Sequence, residues 1–296
     1  NNIGSLVGHS EGIVENVKVL SGTISGTNNL GGILGQQTNY TKNCYSNAVV
    51  QGVKHIGCLI GWAKGNVESC YAFGNASGVN AIGGLIGYQY GSSIKIHKNY
   101  AGAEVTATQE DAGGLIGDAE GITNCYSTGK VTGPLHIGGL VGDVSDGGAA
   151  QIINCYAVGL VEATGSATDI GGLLGRKGDK TVTNSYWIPA MTNQSSSNGG
   201  EAKTIQSMLT KETYETWDFE TIWAIEEGIT FAYLKDFVIP DEILEENLEY
   251  DRTLEGKGTK ENPFIIKTAE QLNDIRKNLT SYYKLGENID LSGYTN

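Results

Sequence analysis

Trp62, Tyr88, Asp118 and Asp143 occupy equivalent points of one recurring pattern: each directly follows a G-x-[LI]-[LIV]-G run. The full column reads His9, Gln36, Trp62, Tyr88, Asp118, Asp143, Arg176. Aromatic rings beside carboxylates suit sugars, whose apolar faces stack and whose hydroxyls donate hydrogen bonds. Paired carboxylates, with Glu120 and Asp146 nearby, also suit Ca²⁺ or the acid–base chemistry of glycoside hydrolysis. The plainer reading is a solvent-facing turn with unrelated occupants. Asp143 to Gly148 is too short and too poor in ligands for an EF-hand loop.

Other reactive side chains form weaker patterns. Cys44, Cys70, Cys125 and Cys155 share one column, and Cys58 lies elsewhere. The pairs 44/70 and 125/155 are spaced for adjacent coils and could meet disulfide geometry. The same column also holds Val17, Asn99 and Ser185, so it reads as buried free thiols. No C-x-x-C or H-x-x-x-H spacing occurs, and no metal site is expected. Asp111 and His136 share a second column with Asn2, Asn29, His55, Ala81 and Asp169, two residues before each G-G. That mixed occupancy suggests a solvated turn rather than a catalytic pair. No catalytic residue and no obligatory cofactor is assigned, and the chain reads as a non-enzyme.

The elements that position these columns follow from the repeat. The first glycines fall at 4, 31, 57, 83, 113, 138 and 171. Between them runs a second pattern, [IV]-x-N-C-Y in its best copies. It supplies Tyr45, Tyr71, Tyr100, Tyr126, Tyr156 and Tyr186, with Lys18 in the first copy. Two residues earlier stand Asn16, Asn43, Ser69, Lys98, Asn124, Asn154 and Asn184. The apolar runs are short, β-branched and bounded by Gly, Asn or Ser, which are strand signals. A unit of this size cannot bury its own apolar face, so units must stack. The predicted fold is all-β: a right-handed parallel β-solenoid of about seven coils with a small mixed α/β cap. Stacked coils turn each column into a ladder, with Tyr on Tyr and Asn on Asn. Length variation in 88–96, 143–151 and 162–169 predicts protruding turns there.

The units resemble the GLUG motif, which occurs in large bacterial surface proteins and in the N-terminal regions of some IgA-cleaving metallopeptidases. G-G-L-[IVL]-G and N-C-Y-[AS] carry the resemblance across residues 3–187. It implies an extracellular location on a bacterial cell surface and is silent on activity.

Composition agrees with a scaffold. The 296 residues include 43 Gly and only 4 Pro, and the net charge is −13. Such a surface repels phosphate, so nucleic acid is not an expected partner. No apolar run is long enough to span a membrane. Four regions are expected: coils over 1–190, a C-terminal cap over 191–235, an acidic linker over 236–256, and an opening-cap segment of a following module over 257–296. Trp217, Phe219, Trp223, Phe231 and Tyr233 form the aromatic set of the cap, with an exposed glycan-binding surface as the rival reading. Thr268 to Gln271 is a capping box, and 240–249 has partial helical character. Coils first and opening cap last is an inverted order. It suggests a piece of a longer array, with copies or neighbouring modules joined head-to-tail. The expected role is a stalk or filament module. The alternatives are an adhesin for glycan or protein, and the accessory region of a secreted peptidase or polysaccharide-degrading enzyme.

Overall fold

The computed structural model describes residues 1–91, 93–145, 151–237, 255–256, 260, 262–275 and 282–289. Most of the expected acidic linker with its partial helix, Asp146, and the closing residues after 289 lie outside the described residues. The chain forms two compact units, Asn1–Ala202 and Lys203–Asn296.

The first unit is a parallel β-solenoid of about seven turns, built from four sheets of nine, seven, seven and eight strands. We label them A to D. In the third turn, Lys54–Gly57 joins sheet A, Ile60–Ala63 sheet B, Asn66–Glu68 sheet C and Tyr71–Ala72 sheet D. Register follows the repeat. Gly4, Gly31, Gly57, Gly83, Gly113, Gly138 and Gly171 pair in succession. Lys18 and the six tyrosines of the second pattern do the same. Backbone hydrogen bonds cross the stack in files. Ile33 N–H donates to Leu59 O, Leu59 N–H to Leu85 O, and Leu85 N–H to Leu115 O.

The G-G-L-I-G run makes the corner between sheets A and B. Both apolar residues after the glycines turn inward, so Leu59, Ile60, Leu85, Ile86, Leu115 and Ile116 are fully buried. The glycines are required by close approach. A Cβ on Gly32 would stand 1.9 Å from Cys58 O, and one on Gly114 would stand 2.0 Å from Gly139 O. Burial depends on stacking: Leu6 is 51% and Val7 37% exposed on the first coil, whereas Ile33 and Leu34, the same positions one coil on, are 0%.

The left-handed backbone falls elsewhere. All seven residues from Asn16 to Asn184 that precede the tyrosine column by two have φ between 47° and 59°. Asn29, His55, Ala81, Asp111, His136 and Asp169 share that region, with φ of 49–60°. These columns are αL corners, which Asn and Asp tolerate best. The Asn column is therefore a backbone requirement first. Direct amide bonds join Asn43 to Asn16 and Asn154 to Asn124, each at 3.3 Å. Ser69 and Lys98 interrupt that file.

The tyrosines stack. Ring centroids of Tyr71, Tyr100, Tyr126 and Tyr156 are 4.9–5.2 Å apart, and the planes lie within 7°. Tyr45 tilts 32° from Tyr71. All five cysteines are buried free thiols. The protrusion expected at 162–169 is an exposed bulge within the sheet A strand Val161–Gly171. There a register shift lets Ala163 pair with Gly133 and Thr168 with Leu135.

In the second unit, the helix Ile205–Met208 starts at Thr204, whose hydroxyl accepts from Ser207 N–H. Strands Trp223–Ala224 and Tyr233–Leu234 pair antiparallel. Trp217, Trp223 and Phe231 are buried, and the Trp217 and Trp223 rings lie 4.3 Å apart. Phe219 and Tyr233 are half-buried. This set is an aromatic core, so the rival reading of an exposed glycan-binding surface fails for its tryptophans. Phe264–Ile266 and Tyr283–Leu285 are parallel strands joined through the helix Ala269–Asp274, which opens on the expected capping box.

Candidate functional site

The column that follows each G-x-[LI]-[LIV]-G run lies on the outer face of sheet B. His9, Gln36, Trp62, Tyr88, Asp118, Asp143 and Arg176 pair in that order on successive coils. The αL column of Asn29, His55, Ala81, Asp111 and His136 sits across the corner, and its side chains reach over to the first column. The two columns therefore make one site. It is an open groove of about 520 Å³ lined by residues that include His55, Trp62, Tyr88, Tyr90, Asp111 and Asp118.

Aromatic groups fill the N-terminal end of the groove. His55 stacks on Tyr88 with centroids 4.7 Å apart and planes at 18°. Trp62 lies 5.8 Å from Tyr88 and 5.5 Å from His55. Lys64 holds its ammonium 3.8 Å from the Trp62 ring centre, a cation–π contact. His55 Nδ1–H donates to Asn29 Oδ1 at 2.7 Å, Asn29 to Asn2 at 2.7 Å, and Asn2 to Gln36 at 2.8 Å. This relay fixes the imidazole. Burial, aided by the Lys54 charge, lowers the His55 pKa to about 4, so the ring is neutral near pH 7.

Carboxylates fill the other end. Oxygens of Asp111, Asp118 and Asp143 lie within 4.8 Å of one another, as do ligand atoms of Glu110, Asp111 and His136. These are the residues with the geometry to receive a cation. Each of the three aspartates already has a protein partner. His136 Nδ1–H donates to Asp111 at 2.8 Å, Ser145 Oγ–H donates to Asp118, and Arg176 donates two bonds to Asp143, from Nε at 2.7 Å and from Nη2. Asp143 is 4% exposed and pairs with Asp118 from the next coil. Desolvation raises Asp118 to about 7 and Asp111 to about 6, with the neighbouring Asp143 charge adding to each. Near neutral pH the Asp118 carboxyl can therefore both donate and accept hydrogen bonds.

Sequence reasoning paired Trp62 with Tyr88 and Asp118 with Asp143, and their register matches. It placed Asp111 and His136 in a solvated turn. In the structure they are mostly buried and bonded, because the αL corner turns their side chains along the stack. His55 and Tyr90 were not singled out. The positive-φ column was the available signal, and it is legible only once the corner is known. A larger groove of about 830 Å³ on sheet C, lined by Ile13, Tyr40, Asn66, Glu68 and His97 among others, was also missed. There the Tyr40 hydroxyl donates to Glu68 at 2.5 Å.

No family model matches the chain. Over 114 residues the chain is 37% identical to a protein of Evansella cellulosilytica named "Putative Gly-rich membrane protein". That alignment takes in 36% of this chain and 13% of the relative, so the chain spans a small part of that protein's length. In three dimensions the chain is similar to the crystal structure of "a putative immunoglobulin A1 protease from Bacteroides ovatus", with a TM-score of 0.56 and 21% identity over 76% of each chain. That likeness is one of fold. No helix among the described residues is long and apolar enough to cross a membrane.

Proposed function

We propose that this chain is a non-catalytic, rigid repeat module of an extracellular protein on a bacterial cell surface, a stalk or filament segment that spaces or displays other parts. The observation that carries this reading is the unbroken register of the glycine column through seven coils. A stack joined by continuous hydrogen-bond files and a shared core resists bending along its axis. The Gly-rich relative, named a membrane protein, and the GLUG resemblance support a surface location. On this reading the partners are further modules stacked head-to-tail.

Electron microscopy with analytical ultracentrifugation tests this. Rods that lengthen with protein concentration, with an axial repeat of one module, are the expected result. A monodisperse species at every concentration would remove the assembly part. Flexible, bent particles would remove the stalk itself.

A further inference from the structure

The groove between sheets A and B is not needed by a spacer, and its chemistry points to a ligand. We propose that it binds a linear glycan bearing ammonium groups, laid along the solenoid axis, with its sugar faces on Trp62 and Tyr88 and its amino groups at Asp111 and Asp118.

Spacing is the first argument. Trp62, Tyr88 and Asp118 are in register on consecutive coils. Parallel strands are about 4.8 Å apart, close to the length of one pyranose ring. A linear glycan running along the stack therefore meets one column residue per ring. Pre-organisation is the second. His55 is stacked on Tyr88 and anchored to Asn29, so the aromatic floor is set before any ligand arrives. Electron-rich ring faces attract the polarised C–H groups of a sugar face.

Charge is the third argument. Glu110, Asp111 and Asp118 line one end of the groove. Of the cations near the groove, Lys54 and Lys64 stand at its aromatic end beside His55 and Trp62, and Arg176 is committed to Asp143. An ammonium arriving there gains charge-assisted hydrogen bonds, while an anionic sugar is repelled. At the aromatic end, the Lys64 ammonium rests on one face of Trp62, and a sugar that stacks on that face must displace it. The groove is open, and its volume of about 520 Å³ lies within the range of ligand sites.

The proposal stands apart from the spacer reading, because a module can be a rod with or without this ligand. Isothermal titration with a fully deacetylated chitosan hexamer tests it. The N-acetylated hexamer and an oligogalacturonate serve as comparisons. Saturable binding of the deacetylated hexamer is expected, with affinity falling tenfold or more in Trp62→Ala and in Tyr88→Ala, and severalfold in Asp118→Asn. Tyr40→Ala, in the sheet C groove, should leave affinity unchanged. On the unaltered protein, the Trp62 indole N–H resonance should shift during the titration. Three results would overturn the proposal: no saturable binding, equal binding of the acetylated or anionic oligomer, or an unmoved Trp62 signal at saturation.

Discussion

At the residue scale, two kinds of local tension mark the site. Asp118 is a carboxyl in a crowded, desolvated place, facing Asp111 and Asp143, with Arg176 and Ser145 as its counterweights. Its pKa is near 7 in the fold and about 4 in an unfolded chain. Between those values the folded state binds the extra proton, so Asp118 adds stability as pH falls from 7 towards 4 and costs stability above 7. Asp118→Asn cannot ionise. It should melt higher than the unaltered protein at pH 8, with the difference shrinking through pH 5 and closing only below about 4, as read by calorimetry. A constant difference across that range would refute the assignment. His55 works in the opposite direction, since its lowered pKa makes protonation below about 6 unfavourable to the fold. Ala81 shows the other tension. It sits at φ 56° in a column otherwise mostly held by Asn, His and Asp. A Cβ in the αL region costs about 1–2 kcal/mol, and glycine gives back part of that through unfolded-chain entropy. Ala81→Gly should therefore raise stability by about 0.5–1 kcal/mol in denaturant titration.

At the element scale, the corner between sheets A and B decides both core and site. Its glycines let one coil's backbone lie against the next, and its paired apolar residues fill the interior. A Cβ on Gly139 would come 2.2 Å from Gly172 O and 3.0 Å from the Ala157 Cβ. Backbone on one side and core on the other leave it nowhere to move. Gly139→Ala should cost about 1–3 kcal/mol or more. Gly12, whose added Cβ meets nothing within 4 Å, is the control, and Gly12→Ala should stay within about 0.5 kcal/mol of the parent. Equal effects at both positions would mean that close approach is not why the corner needs glycine. The same corner carries the αL residue that swings His55 and Asp111 towards sheet B, so the groove is a by-product of how the chain turns.

At the scale of the whole first unit, stability is a sum over neighbouring coils. Amides of the tyrosine column donate to the preceding coil: Tyr45 to Val17 O, Tyr71 to Cys44 O, and Tyr156 to Cys125 O. Interior coils are covered on both sides. The first coil is covered on one, so Leu6 is exposed there while its counterpart one coil on, Ile33, is buried. Hydrogen exchange should follow that gradient, with Tyr71, Tyr100 and Tyr126 amides strongly protected and the Lys18 amide exchanging near its intrinsic rate. Uniform protection along the stack would contradict nearest-neighbour stabilisation, or would show that something covers the first coil in solution.

The repeat made much of this legible before any coordinates. A fixed spacing of G-x-[LI]-[LIV]-G with N-C-Y pieces between allows few solutions, because short apolar strands must be buried by their neighbours. Parallel stacking then fixes which residues are adjacent. Thus the succession Trp62, Tyr88, Asp118, Asp143 and the tyrosine ladder could both be read along the chain. Side-chain direction at the corners could not. Asn, His, Asp, Ala and Lys share the αL columns because of a backbone angle, and mixed composition disguised that as a loose turn. Whether a carboxylate faces solvent was equally hidden. Asp143 and Asp118 look alike in the sequence, yet Arg176, one coil further on, holds the first and leaves the second to the groove. Sequence determined the neighbours, since register follows from period. Tertiary structure alone decided which neighbours converge, because that depends on how the chain bends between two sheets.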